Sequence, residues 1–221
     1  LKQRMLRQIA LSGPIPLPDY WTQCLFDPEY GYYTTSYPIG AKGDFITAPE
    51  ISQVFGELIA SWWLATVRQN KIDSVALVEI GPGRCTLMSD MLRTLGKLDP
   101  TLKETLAVHM VEISPRLTSL QREKLSGSGF GIQWHQTIDT LPELPLGIVA
   151  NELFDAVPIR AFFKHEDKWF ENVVGARQSG NLTLEAVPAS LDLSILPARH
   201  GDQPNGAVFE YAPARESLMQ S

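Results

Sequence analysis

Two glycines follow a strand-like pattern near residue 80. Residues 74–80 form a largely apolar run with Glu79 inside it, and Gly81 and Gly83 come directly after it. Such a run is typical of a strand buried in a parallel sheet. Glycines after a strand permit a tight turn, and the next helix then points the positive end of its dipole at a bound ligand. The pattern predicts a ligand-binding turn.

A carboxylate, Glu112, ends a second strand-like run at residues 106–112. A carboxylate can accept hydrogen bonds from two ribose hydroxyls, so this position suits a nucleoside, although a solvated acid beside Ser114 is the alternative. The dinucleotide fingerprint needs a third glycine and an acid about 20 residues on. Here Thr86 takes the third position and Glu112 lies 29 residues beyond Gly83. This spacing makes NAD a less favoured ligand, but NAD stays an alternative.

Polar side chains also follow a fourth strand-like run at residues 146–150, namely Asn151, Glu152 and Asp155. They could hold the reacting nitrogen of a substrate. Alternatively, Asn151 caps a helix and the acids favour its dipole, and both interpretations can hold together. His135, just past the third strand, lies at the predicted cofactor edge, where a structural or adenine-side role competes with that of an ordinary surface histidine.

Strands that alternate with helices must position these residues. Helices are predicted at 86–98 and 115–124, between strands at 74–80, 106–112, 132–134 and 146–150. This order predicts an α/β fold with a parallel, doubly wound, Rossmann-like sheet. Beyond residue 158 the pattern changes to a β-hairpin, 159–164 and 168–174, with further strands at 182–187 and 207–211.

The N-terminal part is predicted to be helical, with helices in residues 1–10 and from residue 19, and an ordered loop at 26–37. Thr47 and Glu50 stand in capping-box register ahead of a helix with an apolar stripe. That stripe comprises Ile51, Val54, Phe55, Leu58, Ile59 and Trp62. The expected domains are residues 1–70, a helical segment with a cofactor-covering loop, and 71–221, a core with a hairpin insertion at 159–187.

Composition narrows the function classes. The 221 residues are 44% hydrophobic and carry a net charge of −6, so a nucleic acid is not an expected partner. Two cysteines and no zinc-type spacing predict no metal site. No apolar run approaches the roughly 18 residues of a membrane span.

Five segments, in this order and spacing, carry a family resemblance: FDPEYGYY, GDFITAPEISQVFGE, EIGPGRCTLMSDMLR, VEISPRLTSLQ and ANELFDAVPIR. The chain resembles the MidA-like class I methyltransferases, whose mitochondrial members are complex I assembly factors that dimethylate an arginine of a complex I subunit. The resemblance implies S-adenosylmethionine as cofactor, a protein substrate, and a location in the mitochondrial matrix or the bacterial cytoplasm. A homodimer is a further expectation.

The resemblance also implies residue roles. Gly81, Gly83 and Glu112 would form the S-adenosylmethionine site, with Glu79 anchoring the turn. The segment from Gly43 through Phe45 to Thr47 would fold over the cofactor. Asn151 and Glu152 would face the methyl acceptor, and for an arginine acceptor Glu152 or Asp155 could orient the guanidinium.

Two departures from the family stand out. The usual GPGRG motif ends here in Cys85, so that position is either already helical or part of an altered turn. A lone cysteine at a helix start more often packs than catalyses. Family members also continue beyond this length, so we expect a truncated chain whose sheet lacks its last strands and exposes an edge. The sequence leaves three alternative functions: an arginine methyltransferase, a non-catalytic assembly scaffold, and an NAD-linked oxidoreductase.

Overall fold

The computed structural model describes residues 1–35, 46–190 and 200–213. Contacts divide them into two compact units, one formed by residues 46–155 and the other by residues 1–35 together with the described residues from 156 onward. The contacts thus group the N-terminal helices with the C-terminal strands, whereas the predicted domain boundary lay at residue 70. That boundary stays a prediction.

The elements alternate through the middle of the chain as the sequence predicts. The helices are α1 (Lys2–Ser12), α2 (Leu17–Phe26), α3 (Tyr32–Thr35), α4 (Ala48–Ile51), α5 (Gln53–Gln69), α6 (Thr86–Leu98), α7 (Leu102–Thr105) and α8 (Pro115–Leu125). The strands are β1 (Ile15–Pro16), β2 (Ala76–Ile80), β3 (Ala107–Val111), β4 (Ile132–His135), β5 (Leu146–Val149), β6 (Arg160–His165), β7 (Lys168–Ala176), β8 (Leu182–Pro188) and β9 (Val208–Tyr211).

A four-stranded parallel sheet forms the centre of the unit at residues 46–155. Its strand order is β4, β3, β2, β5, and Glu79 pairs with Met110 on one side and Val149 on the other. The carboxyl ends of these strands therefore meet at one edge, where ligands bind in open α/β sheets. The predicted parallel, Rossmann-like sheet is confirmed.

Helix α6 covers this sheet because its apolar residues recur at helical spacing. The buried side chains of α6 are Leu87, Met88, Met91, Leu92 and Leu95. They join a core cluster with residues of β2 and β3. Burying such a side chain contributes on the order of 1.5–3 kcal/mol, so this face of α6 fixes the helix on the sheet.

The predicted helix start at Thr47 is wrong in detail. A single helical turn, α4, begins there, the chain becomes extended at Ser52, and α5 then starts with the Ser52 hydroxyl accepting a hydrogen bond from the Val54 N–H. Thr47 makes no side-chain capping bond. The Glu50 carboxylate instead accepts from the Thr86 hydroxyl, so no capping box forms.

The buried face of α5 also differs from the predicted stripe. Four residues of that stripe are exposed: Ile51, Val54, Leu58 and Trp62. Phe55 and Ile59 do pack against the core. The face against α6 uses small residues instead, because a Cβ on Gly56 would lie 2.7 Å from the Cβ of Asp90 and a larger residue would push the helices apart. Ala60, Trp63 and Leu64 complete the buried face.

The other unit contains an antiparallel sheet. β7 pairs with β6, β8 and β1, and β9 pairs with β6. The predicted hairpin is confirmed: β6 and β7 are joined by Glu166 and Asp167, both with positive φ, as a two-residue turn between twisted strands requires. Helices α1 and α2 contact the strands of this sheet.

The segment at 26–33 is ordered by Asp27. Its carboxylate accepts from the N–H groups of Glu29 and Tyr30 and pairs with Arg4. A Cβ on Gly31 would lie 2.5 Å from the backbone of Asp27, so this position needs glycine. The segment was predicted as a loop; the structure adds the helical turn α3 after Gly31. Among the described residues, no helix combines the length and apolar character needed to cross a membrane.

Candidate active site

The turn between β2 and α6 is left-handed at three alternate residues. Gly81 has a φ of 65°, Gly83 of 53° and Cys85 of 61°. The Gly81 N–H donates to the Val111 carbonyl (3.0 Å), which ties the turn to the end of β3. Of the two sequence-based alternatives for Cys85, the structure supports an unusual turn rather than a helical residue, because Cys85 is the left-handed N-cap of α6.

Glu79 is buried directly behind this turn. Burial raises the pKa of its carboxyl to about 8, while the Met88 N–H in the first turn of α6 and the charge of Lys124 act in the opposite direction. Its Oε2 atom has no hydrogen-bond partner among the described residues. Because Cys85 makes no side-chain cap, the Glu79 carboxyl group instead accepts from the Met88 N–H at the helix start. This arrangement supports the predicted anchoring role.

The Cys85 thiol is unsuited to nucleophilic chemistry. The side chain is fully buried, and its burial, followed by the nearby Glu79, raises the thiol pKa. A thiol, not a thiolate, therefore occupies this position at neutral pH, and thiolates are the reactive form. Cys85 packs in the core cluster beside α6.

Glu112 lies one residue beyond β3, and both of its oxygens accept hydrogen bonds from the chain. Oε1 accepts from the Ser114 N–H at 2.9 Å and Oε2 accepts from the Gln121 amide at 3.1 Å. Burial raises its pKa, and the Ser114 N–H, the Gln121 amide and the Ile113 N–H act against the rise. A carboxylate has about four lone-pair sites, so Glu112 can still accept from a ligand. Two neighbouring hydroxyls are a matching partner.

Gln121 was not predicted as a site residue. Its amide nitrogen donates to the Gly83 carbonyl (2.9 Å) as well as to Glu112, and its oxygen accepts from the Trp134 indole (3.1 Å). A sequence signal exists for it, because Gln121 stands four residues from both Leu117 and Leu125 on the inward stripe of α8. A polar residue on a buried stripe needs partners, and here it finds them in the site.

A second network holds the start of α6. The Thr86 hydroxyl donates to Glu50 at 2.5 Å, and Lys124 donates to Thr86 (2.8 Å) and to the Arg84 carbonyl (3.2 Å). Sequence reasoning missed these contacts because they join residues far apart in the chain. They attach α4, which Thr47 precedes, to the helix that follows the turn.

The predicted cofactor-covering residues are only partly within the described chain. Gly43 and Phe45 lie outside the described residues. Thr47 lies within them, at the start of α4, and its carbonyl accepts from the N–H groups of Glu50 and Ile51. Its predicted contact with cofactor stays a prediction.

His109 in β3 and His135 in the neighbouring strand β4 form a hydrogen-bonded pair. His109 Nδ1 and His135 Nε2 are 2.9 Å apart, and His135 Nδ1 lies 2.8 Å from the Thr140 hydroxyl. That hydroxyl donates to the Thr137 carbonyl, so it accepts from His135, and His135 accepts from His109. Burial, then the neighbouring His135, lowers the pKa of His109. His109 is buried in β3, and the adenine-side role of His135 stays a prediction.

The three predicted acceptor-side residues follow β5. Asn151 caps no helix directly, because the next helical turn starts at Phe154. Glu152 and Asp155 are exposed, and Glu152 has a φ of 54°, a conformation that a residue with a Cβ rarely adopts. Between them, Leu153 lies near Gly81, where an added Cβ would be 2.9 Å from its side chain. The β5 loop and the glycine turn are therefore neighbours.

The polar groups at this edge of the sheet fit S-adenosylmethionine. Glu112 offers a carboxyl group that can accept from hydroxyls, and the glycine turn presents backbone at a helix start. In the part of the chain that the structure describes, no group of three His, Cys, Asp or Glu side chains could hold a metal ion.

Comparison with known proteins gives one family. A family model described as "Putative S-adenosyl-L-methionine-dependent methyltransferase" matches residues 58–221. The mitochondrial protein arginine methyltransferase NDUFAF7 of Danio rerio is 37% identical over an alignment of 196 residues, which covers 78% of this chain and 46% of that protein. Its Caenorhabditis elegans homolog is 35% identical, covering 99% of this chain and 57% of that protein. The chain spans about half the length of these curated relatives.

A solved structure has the same fold. It is a likely methyl transferase of the COG1565 superfamily from Burkholderia thailandensis, bound to S-adenosyl-homocysteine. It superposes with a TM-score of 0.82 at 26% identity, covering 99% of this chain and 57% of that one. This likeness agrees with the predicted class I methyltransferase fold.

Proposed function

The chain belongs to this family of S-adenosyl-L-methionine-dependent methyltransferases, and we propose that it transfers a methyl group from S-adenosylmethionine to an arginine of a protein partner. The family predicted from the motifs is confirmed, and S-adenosylmethionine is the cofactor of that family. The single observation that carries the binding proposal is Glu112, a buried carboxyl group that its hydrogen bonds hold beside the left-handed glycine turn.

The relatives support the choice of acceptor. Those from zebrafish and nematode carry the name protein arginine methyltransferase, and the solved bacterial relative binds S-adenosyl-homocysteine, the product that remains after methyl transfer. Membership of this family also favours S-adenosylmethionine over NAD. The longer interval between Gly83 and Glu112 is consistent with that choice.

The residues of the turn would bind and orient. When bound, S-adenosylmethionine supplies an electrophilic methyl group on a sulfonium. Glu112 would accept hydrogen bonds from the ribose hydroxyls, and the turn at Gly81 and Gly83 would let the ligand approach the backbone. Because methyl transfer is an in-line displacement, this alignment and the exclusion of water are the main contributions of the protein.

The residues after β5 would handle the acceptor. An arginine guanidinium is planar and pairs with carboxylates in bidentate fashion, and Glu152 and Asp155 are exposed carboxylates on a loop that neighbours the turn. One of them would orient the guanidinium and help polarise its attacking nitrogen. The left-handed backbone of Glu152 supports a specialised role, since such strain concentrates at functional sites.

A labelled-methyl assay tests the proposal. The protein is incubated with methyl-labelled S-adenosylmethionine and candidate arginine-containing proteins, with a complex I subunit as the first candidate implied by the resemblance. Transfer of label to arginine supports the proposal. Binding of S-adenosylhomocysteine without transfer to any candidate would instead favour the non-catalytic scaffold.

Two variants separate the acceptor residues from general surface charge. Glu152→Gln should lower transfer while leaving S-adenosylhomocysteine binding intact, because the change removes a charge on the acceptor side. Glu143→Gln is the control, since Glu143 is an exposed carboxylate before β5, at the opposite end of the strand. If Glu152→Gln and Glu143→Gln transfer the methyl group equally well, Glu152 has no specific role in the reaction.

The relatives also inform location and partners. The curated relatives are mitochondrial by name, and the solved relative is bacterial. We propose a protein substrate for this chain and a location in the mitochondrial matrix or the bacterial cytoplasm. The complex I subunit and the homodimer stay predictions.

A further inference from the structure

We infer that Gln121 is a positioning residue that sets both the Glu112 carboxylate and the glycine turn for cofactor binding. The inference rests on the proposed function, because it assigns a role within the same site. Gln121 is fully buried in α8, and in the sequence it lies well after the turn that contains Gly81 and Gly83.

The hydrogen bonds of Gln121 leave its amide one orientation. Both hydrogens of its nitrogen are used, on the Gly83 carbonyl and on Glu112 Oε2, and its oxygen accepts from the Trp134 indole. A reversed amide would place its oxygen against two other acceptors and its nitrogen against an N–H donor. The two acceptors facing its nitrogen are enough to fix this orientation, and the Trp134 bond satisfies the remaining oxygen.

This fixed amide joins the two halves of the predicted binding site. One hydrogen holds the carbonyl of Gly83 in the turn after β2, and the other holds the carboxylate that follows β3. With Ser114 on the other oxygen, Gln121 sets the rotation of the Glu112 carboxylate and thereby the direction in which it can accept further hydrogen bonds. Pairing with two hydroxyls depends on that direction.

Helix α8 contacts the turn a second time, through Lys124 on the Arg84 carbonyl. Gln121 and Lys124 thus bind consecutive carbonyls of the turn from one helix. The Gln121 contact is the one that also reaches Glu112, so it alone couples turn and carboxylate among the described contacts.

Three variants measured by calorimetry with S-adenosylhomocysteine test this role. Gln121→Met keeps the length and removes all three hydrogen bonds. Gln121→Glu keeps the shape and the acceptor for Trp134 but removes the amide donor facing Glu112. Trp134→Phe is the matched control: it removes the third bond and leaves the bonds to Gly83 and Glu112, and its ring still faces Arg122.

We expect Gln121→Met and Gln121→Glu each to weaken S-adenosylhomocysteine binding by about 10-fold or more. Gln121→Met loses the hydrogen bond to the Glu112 carboxylate, whereas Gln121→Glu sets a second carboxyl group against it and has at most one hydrogen for Gly83 and Glu112 together. Trp134→Phe should bind as the wild type does, even where its melting temperature falls as far as that of Gln121→Met. If Gln121→Met does not fold, the comparison of Gln121→Glu with Trp134→Phe decides.

The outcomes separate two failures. A wild type that binds S-adenosylhomocysteine, with Gln121 variants that bind equally well, overturns the positioning role and leaves the proposed function standing. Equal loss in the Gln121 variants and in Trp134→Phe also overturns it, because the effect then follows packing. A wild type that does not bind S-adenosylhomocysteine overturns the proposed function, and the positioning role with it.

Discussion

Substitutions at Cys85 test the turn conformation directly. At this position the glycine variant should be more stable than the alanine variant, which reverses their order in a right-handed helix. In a right-handed helix, glycine is less favourable than alanine by about 1 kcal/mol. Cys85 is left-handed, with φ 61° and ψ 32°, where a Cβ costs about 1–2 kcal/mol. Glycine relieves that cost.

The relief is opposed by the loss of buried surface. Cys85 is fully buried, so Cys85→Gly removes one more buried carbon than Cys85→Ala, worth about 0.8 kcal/mol. The difference leaves Cys85→Gly more stable than Cys85→Ala by on the order of 0.5 kcal/mol. Both variants lose the sulfur, so its contribution cancels in the comparison.

Urea denaturation of four variants measures this reversal. Ser89, within α6, is the control position, and there glycine should be less stable than alanine by about 1 kcal/mol. If the same order and size appear at Cys85, the residue is helical and the left-handed turn described here is wrong.

Two further predictions concern burial. Trp63→Ala should cost about 3–5 kcal/mol of unfolding free energy whereas Trp62→Ala should cost under about 1 kcal/mol, because Trp63 is 5% exposed and its neighbour 65%. A larger fall in the denaturation midpoint for Trp62→Ala would mean that α5 buries the other face, and equal falls would contradict the difference in burial. Glu79 has a folded pKa of about 8 against an ordinary 4.5, so the stability of its neutral form is present below pH 4.5 and is lost as pH rises to 8. Relative to Glu79→Gln, the wild type should lose about 1.4 kcal/mol per pH unit across that window, and parallel stability profiles of the two proteins would show that Glu79 is already ionised.

The order of the elements could be predicted because single segments carry their own pattern. β2 is a short apolar run, and α6 places five buried residues on one face. The hairpin was equally local, since two strand-like runs flank a short polar turn that the structure places at Glu166 and Asp167. In each case the signal lies within fewer than twenty residues.

The face of α5 could not be predicted, because hydrophobicity alone favours large side chains. The helix approaches α6 at Gly56, where only a small residue fits, and it also buries Ala60. Size matters only once the partner helix is known. The same applies to Glu50, whose partner Thr86 lies 36 residues away and whose capping role looked sufficient from the sequence.

Within the candidate site, the motifs located Gly81, Gly83 and Glu112 at one edge of the sheet, and the structure places them there. Gln121 was missed for a physical reason. Its partners come from three different segments, and a glutamine in a polar helix gives little indication of burial until the inward stripe of that helix is identified.

Calorimetry with S-adenosylhomocysteine and NAD, on the wild type and on Glu112→Ala, tests the assignment of the cofactor site. We expect the wild type to bind S-adenosylhomocysteine and not NAD. We also expect Glu112→Ala to weaken S-adenosylhomocysteine binding by about 10-fold or more, since hydrogen bonds to a charged group are lost. Binding of NAD alone, or equal affinity of the two proteins for S-adenosylhomocysteine, would contradict the assignment of this site.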